Sequence, residues 1–203
     1  MSESMDPGTE VTGVILAGGQ ARRMGGRDKG LIEVGGRPMI EYALAALRPQ
    51  VSAVIINANR NHAIYARYGC PLVADALQGY HGPLAGMASA MLAAQTACLA
   101  TLPCDSPAVP ADLVARLYRG LRGAGAEIVV AHDGERMQPV FSLLRCRLLD
   151  SLQAFLQEGE RKIDRWYARH QTVCVDFSDC PEAFTNVNTP EDIEQLERVL
   201  GHA

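Results

Sequence analysis

Short apolar runs alternate along the chain with stretches whose apolar residues recur at helical spacing. Residues 11–17 form a run that reads as a buried strand and stops at Gly18-Gly19. Residues 38–47 place Ile40, Ala43, Leu44 and Leu47 on one helical face. Residues 51–57, rich in β-branched side chains, predict a second strand, and 72–74 a short third. Residues 86–95 are small and apolar, as in a helix packed closely on a sheet. Residues 97–102 predict a fourth strand, ending at Pro103-Cys104-Asp105. An amphipathic helix is predicted over 110–122, with Pro110 suited to its first turn. Strands over 128–132 and 140–144, helices over 145–157 and 161–169, a strand over 172–177 and a helix over 189–200 complete the pattern.

Strands separated by helices imply right-handed crossovers. The expected fold is therefore α/β, a single doubly wound, mainly parallel sheet with helices on both faces. Ligands of such sheets lie beyond the carboxyl ends of the strands. Gly18, Asn57, Asp75 and Asp105 stand at those ends.

Composition narrows the picture. A chain of 203 residues with 48% hydrophobic content supports one sizeable core, so one domain is expected over 11–203 after a loose polar tail over 1–10. Aromatic residues make up 5%, which leaves Ala, Leu, Val and Ile to fill the interior. A net charge of -4 gives no general reason to expect nucleic acid or a membrane surface as partner. No run approaches the roughly 18 apolar residues of a membrane span. The first ten residues lack a basic-then-apolar export pattern. Six cysteines without a CxxC pair suit reduced thiols in the cytoplasm. The five histidines lack metal-ligand spacing, so no zinc site is expected.

The densest chemistry follows the first strand. Residues 16–30, LAGGQARRMGGRDKG, hold five glycines and four cations, Arg22, Arg23, Arg27 and Lys29. Glycines let backbone N–H groups approach phosphate oxygens, and fixed cations stabilise charge that builds on an α-phosphate and a departing pyrophosphate. A solvated basic turn is the plainer alternative. The loop matches neither G-x-G-x-x-G nor G-x-x-x-x-G-K-[ST], because Lys29 precedes Gly30.

LAGGQARRMGGRDKGL resembles the signature loop of nucleotidyltransferases with a Rossmann-like fold. More closely it resembles the molybdenum cofactor guanylyltransferases. The resemblance runs through IINANR (55–60), GPLAGM (82–87), PCDSP (103–107), HDGER (132–136), EGERK (158–162), VDFSD (175–179) and NVNTPED (186–192). It implies transfer of GMP from GTP to (molybdenum-)molybdopterin, forming molybdopterin guanine dinucleotide and pyrophosphate. GTP would be held in the N-terminal part and molybdopterin in the C-terminal part. Molybdenum-insertion and molybdoenzyme-maturation proteins are the implied protein partners.

Residue roles follow with their alternatives. Asp105 projects at the sheet edge, where one aspartate suits Mg²⁺ bridging a triphosphate. Asp-Ser-Pro also closes turns, and the resemblance implies the magnesium role. Arg23, Lys29 and Asp105 are the expected catalytic residues. Leu16, Ala17, Gly18, Gly19, Lys29, Asn57, Asp75, Gly82, Pro83, Leu84 and Asp105 are the expected nucleotide contacts. Asn57 suits a strand-end turn equally well, and Asp75 a cap. LAGG paired with GPLAG favours GTP over CTP by resemblance, with backbone groups reading the guanine edge.

Thr189, Pro190 and Asp192 read as a capping box, which leaves Asn186 and Asn188 unexplained. By resemblance these two asparagines bind molybdopterin. Glu160-Arg161-Lys162 either adds charge nearby or begins a solvated helix. A cytidylyltransferase for the same pterin, or a sugar-1-phosphate nucleotidyltransferase, is the alternative enzyme. A non-catalytic chaperone that holds the cofactor is the alternative of another class.

Overall fold

The computed structural model describes residues 7–19, 27–76, 82–187 and 189–200. Seven strands form one sheet: β1 (Val11–Leu16), β4 (Ala53–Asn57), β5 (Leu72–Val73), β6 (Cys98–Pro103), β7 (Ile128–His132), β8 (Met137–Arg145) and β9 (Thr172–Asp176). Their order is β5-β4-β1-β6-β8-β7-β9. All neighbours run parallel except β8, which is antiparallel to both β6 and β7. The doubly wound, mainly parallel sheet is thus present, with one reversed strand. That reversal comes from a hairpin. The N–H groups of Glu135 and Arg136 both donate to Asp133 Oδ1 at 2.8 Å, closing the turn between β7 and β8.

Period-two alternation divides the apolar residues between two cores. Val54 and Ile56 point into one, with Ile55 pointing into the other. The first core takes Ile40, Ala43, Leu44 and Leu47 from α1 (Met39–Leu47), and Leu113, Val114, Leu117 and Leu121 from α4 (Leu113–Gly123). The second takes residues of α3 (Pro83–Ala93), α5 (Leu149–Gln157) and α6 (Ile163–Tyr167). Trp166, Tyr167 and Phe155 are buried there. Each such side chain contributes about 1.5–3 kcal/mol relative to exposure, so three aromatics anchor a face otherwise built from aliphatics.

Several expectations need correction. Residues 33–38 hold a small antiparallel hairpin, β2 (Glu33–Val34) with β3 (Arg37–Pro38), before the helix that was expected from 38. A one-turn helix, α2 (His62–Tyr65), lies in the connection after β4. The helix expected from Pro110 begins at Leu113. Its start is set from outside, because the Val114 N–H donates to Gln50 Oε1 at 2.8 Å. The stretch 7–10, expected to be part of the loose tail, is engaged by the fold: Pro7–Thr9 is a 3-10 turn and Tyr118 Oη donates to the Glu10 carboxylate. The remaining tail lies outside the described residues.

The last helix, α7 (Pro190–Leu200), opens with the expected capping box. Thr189 N–H donates to Asp192 Oδ2 at 2.9 Å, and Asp192 N–H donates to Thr189 Oγ1 at 3.2 Å. Ile193 and Leu196 pack on Val34, Met39 and Val187, which returns the C-terminal segment to the hairpin near the N-terminus.

Candidate active site

The carboxyl ends of β1, β4, β5 and β6 share one edge of the sheet, and a cavity of about 450 Å³ opens there. Leu16, Gly18 and Gly19 line it from β1, Asn57 and Asp75 from β4 and β5, and Pro103 and Asp105 from β6. Gly82 and Pro83 close one side, and Val140 and Asn186 another. Nine of the expected site residues therefore meet in one cavity. Ala17 and Leu84 do not line it, since both side chains are buried in the cores. The Ala17 N–H donates to Asn57 O at 2.8 Å, so it serves the β1–β4 connection and is not aimed at a base. Arg22, Arg23 and Asn188 lie outside the described residues.

Lys29 reaches the site through a partner. Its Nζ donates to Asp105 Oδ2 at 2.6 Å, and both side chains are mostly buried. Residue 29 opens a short 3-10 turn ending at Leu31, which sets the ammonium against the end of β6. The pair fixes a cation and a carboxylate at the β6 border of the cavity across 76 residues of chain. Behind it Cys104 is buried, and burial pushes its thiol well above the usual cysteine range. That cysteine stays a neutral part of the core.

Asp75 is held differently. Asn57 Nδ2 donates to its Oδ1 and Asn59 Nδ2 to its Oδ2, both at 2.9 Å. The Asp75 N–H donates in turn to Asn59 Oδ1 at 2.9 Å. Two neutral amides thus orient one carboxylate at the cavity wall. Gly86 makes this possible: a Cβ there would stand 2.2 Å from Asn57 Oδ1. The sequence suggested close packing of that helix on the sheet, and the close approach is to the Asn57 side chain.

α3 starts beside the cavity. Gly82 takes φ +74, a backbone region that favours glycine, and Pro83 follows as the first helical residue. No described side chain caps this helix, so the N–H groups of its first turn face the end that attracts anions.

The C-terminal segment joins from the opposite side. Ser106 Oγ donates to Asn186 Oδ1 at 2.7 Å, and the Val187 N–H donates to Asp105 O at 2.9 Å. Asn186 and Asp105 therefore border the same cavity, although 81 positions separate them (186 − 105).

Sequence reasoning missed a second constellation: Asp28, Arg60, Asn61 and Tyr65. Asp28 accepts from Tyr65 Oη at 2.6 Å and from Asn61 Nδ2 at 2.9 Å, and Arg60 Nε lies 3.5 Å from its Oδ2. Burial, first of all, pushes the Tyr65 phenol far above its ordinary range, so it remains a donor. The quoted motifs contained two of these residues, Asp28 in the glycine–arginine loop and Arg60 in IINANR, but nothing in their spacing paired them.

Among the described residues no cluster of three or more His, Cys, Asp or Glu side chains is placed to hold a metal ion. No described helix is long and apolar enough to cross a membrane.

The sequence profile of the MobA-like NTP transferase domain matches residues 13–173. The chain is 53% identical over 190 residues to a molybdenum cofactor guanylyltransferase from Shewanella amazonensis, covering 94% of this chain and 97% of that protein. It is 51% identical over 193 residues to the protein of that name from Shewanella loihica, covering 95% and 98%. Among solved structures it resembles molybdopterin-guanine dinucleotide biosynthesis protein A from Archaeoglobus fulgidus, with a TM-score of 0.81, 21% identity, and coverage of 95% of this chain and 100% of that one. A 4-diphosphocytidyl-2C-methyl-D-erythritol synthase from Anaerococcus prevotii superposes with a TM-score of 0.77 at 14% identity, covering 98% and 100%. At such identities these two likenesses speak to the fold alone.

Proposed function

The chain belongs to the MobA-like NTP transferase family, and from that premise we propose that it transfers GMP from GTP to (molybdenum-)molybdopterin, forming molybdopterin guanine dinucleotide and pyrophosphate. The observation that carries the reading is the Lys29–Asp105 pair, 2.6 Å apart at the border of a cavity rimmed by Gly18, Gly19 and the start of α3. A triphosphate brings negative charge to a place where a fixed ammonium and a helix N-terminus already favour it.

The terminal phosphate of the pterin attacks the α-phosphorus of GTP. A phosphorus–oxygen bond forms there, the bond from the α-phosphorus to the bridging oxygen breaks, and the β- and γ-phosphates leave as pyrophosphate. The nucleophile is already an anionic oxygen, so no strong general base is needed and catalysis rests on positioning and charge. Lys29, with Arg23 of the same loop, stabilises charge on the departing pyrophosphate. Asn57 and Asp75 orient the nucleoside, with Gly82, Pro83, Leu16, Gly18 and Gly19 closing around it. Asn186 and Asn188 receive the pterin from the other side.

A divalent cation fits this site. Both oxygens of Asp75 are engaged by amides, which leaves Asp105 as the lining carboxylate whose described partner is itself a cation. Magnesium favours one or two carboxylates completed by phosphate oxygens and water. Asp105 would hold it, and the ion would neutralise charge on the triphosphate. All six cysteines are free thiols, which suits work in a reducing cytoplasm beside molybdenum-insertion and molybdoenzyme-maturation proteins.

Incubation with each nucleoside triphosphate, Mg²⁺ and molybdopterin, with pyrophosphate release measured, tests the reading. GTP should support turnover and CTP should not. Preference for CTP would make the chain a cytidylyltransferase, and nucleotide binding without pyrophosphate release would make it a cofactor chaperone.

A further inference from the structure

The segment that follows β4 does more than supply Asn57. Within Asn57-Ala58-Asn59-Arg60-Asn61, two side chains orient Asp75 and the next two reach the glycine–arginine loop. Arg60 Nη2 donates to the carbonyl of Gly19 at 3.3 Å and to that of Arg27 at 3.1 Å. Those carbonyls belong to the two residues that flank positions 20–26. One guanidinium therefore joins both ends of the loop, and one of those ends, Gly19, lines the cavity.

The guanidinium is itself held. Arg60 Nε lies 3.5 Å from Asp28 Oδ2, and the Asp28 side chain is only 4% exposed. A carboxylate at that depth is tolerated only when its oxygens are bonded. Tyr65 Oη and Asn61 Nδ2 bond them, the first from a fully buried ring. Asn61 takes φ +55, and it is the one non-glycine residue with positive φ among those described. Such a conformation costs free energy for a side-chain-bearing residue and persists where the surroundings enforce it. Here it accompanies the Asn61 bond to Asp28. The residue after Asp28 is Lys29, whose ammonium meets Asp105.

We infer that Arg60 is a positioning residue for nucleotidyl transfer: braced by buried Asp28, it fixes the two ends of the triphosphate loop and, through residue 28, the reach of Lys29. The inference deepens the functional reading above and rests on it. Arginine suits the task because its planar fork serves several acceptors in fixed directions, whereas lysine offers a point charge on a flexible stem. Arg60 acts on the reaction through the loop backbone and through Lys29.

Arg60→Ala, Arg60→Lys and Tyr65→Phe test it, with wild type as reference. Binding is measured with whichever nucleoside triphosphate the wild type binds best, so a wrong choice of base sinks the functional reading while the role of Arg60 is still tested. Steady-state constants are measured for both substrates, and thermal melts check folding. A displaced phosphate loop should lower kcat/KM for the nucleotide by about 10- to 100-fold, with KM for molybdopterin unchanged. Arg60→Lys should be nearly as defective as Arg60→Ala despite keeping the charge. Tyr65→Phe, which loosens Asp28 without emptying the core, should shift the same constants in the same direction by less. If Arg60→Ala does not fold, Tyr65→Phe decides by that nucleotide-selective shift. Unaltered nucleotide constants in a folded variant, an equal rise in both KM values, or full rescue by lysine would overturn the inference.

Discussion

Two aspartates stand at strand ends of one sheet edge, with β4 and β1 between their strands, and they are held by opposite means. At the β5 end, Asp75 accepts from two neutral amides, Asn57 and Asn59, which set its orientation at the cavity wall. At the β6 end, Asp105 meets the Lys29 ammonium, a partner of opposite charge. A carboxylate saturated by amides is an oriented acceptor, suited to recognising a hydroxyl or a base. A carboxylate paired with a cation is an electrostatic switch point, because an incoming phosphate can draw the ammonium and an incoming cation can take the carboxylate. On the proposed function, the edge would separate recognition of the nucleoside from handling of its phosphates.

The largest effect should come from breaking the charged end. Lys29→Ala removes a fixed cation aimed at transition-state charge and should lower kcat by about 10²–10³. Single-turnover rates at saturating GTP measure it, and a wild-type rate would remove Lys29 from the chemistry. Asp105→Asn keeps size and takes away the anionic oxygen that a hard cation requires. The protein should fold, with turnover down by about 10² and its magnesium response flattened. A magnesium titration of this variant that matched wild type would reduce Asp105 to a turn residue.

The neutral end should respond more gently. Asp75→Asn leaves the two donors without their carboxylate and should weaken GTP binding by about 1–3 kcal/mol, with kcat less affected. Pairing it with Asn57→Ala should give less than the sum of the single effects, since both residues belong to one hydrogen-bonded unit. Strict additivity in calorimetric binding would show that the amide clamp is incidental. Asn186→Ala sharpens the comparison from the side. Asn186 is tied to Ser106 beside the charged end, yet its expected role is in holding the acceptor. Together with Asn188→Ala it should weaken pterin binding by about 1–3 kcal/mol per lost bond and leave GTP affinity nearly unchanged. Loss of GTP affinity with intact pterin binding would reverse the assignment.

The strand ends were legible because a strand–helix alternation puts every parallel carboxyl end on one edge, so Gly18, Asn57, Asp75 and Asp105 could be gathered without coordinates. The capping box of α7 was legible for a local reason, three residues of spacing. What escaped were partners fixed only by the fold. Asp28 and Tyr65 are 37 residues apart and meet in a buried bond that no periodicity signals. Gln50 caps α4 from 64 residues away, which is why the helix start was misplaced toward Pro110. The β2–β3 hairpin is two residues per strand, too short to show alternation. The reversal of β8 depends on a turn built around Asp133, whose carboxyl is pulled down to about 2 by the N–H groups of Arg136 and Glu135.

The central claim is that the bond to the α-phosphorus is the one exchanged. Two parallel reactions with Mg²⁺ and molybdopterin, one with α-labelled and one with γ-labelled GTP, follow that atom directly. Label from the α position should appear in the pterin dinucleotide and label from the γ position in pyrophosphate. Recovery of γ label as inorganic phosphate or on the pterin, with the α label left in GDP, would contradict nucleotidyl transfer and replace it with hydrolysis or phosphoryl transfer.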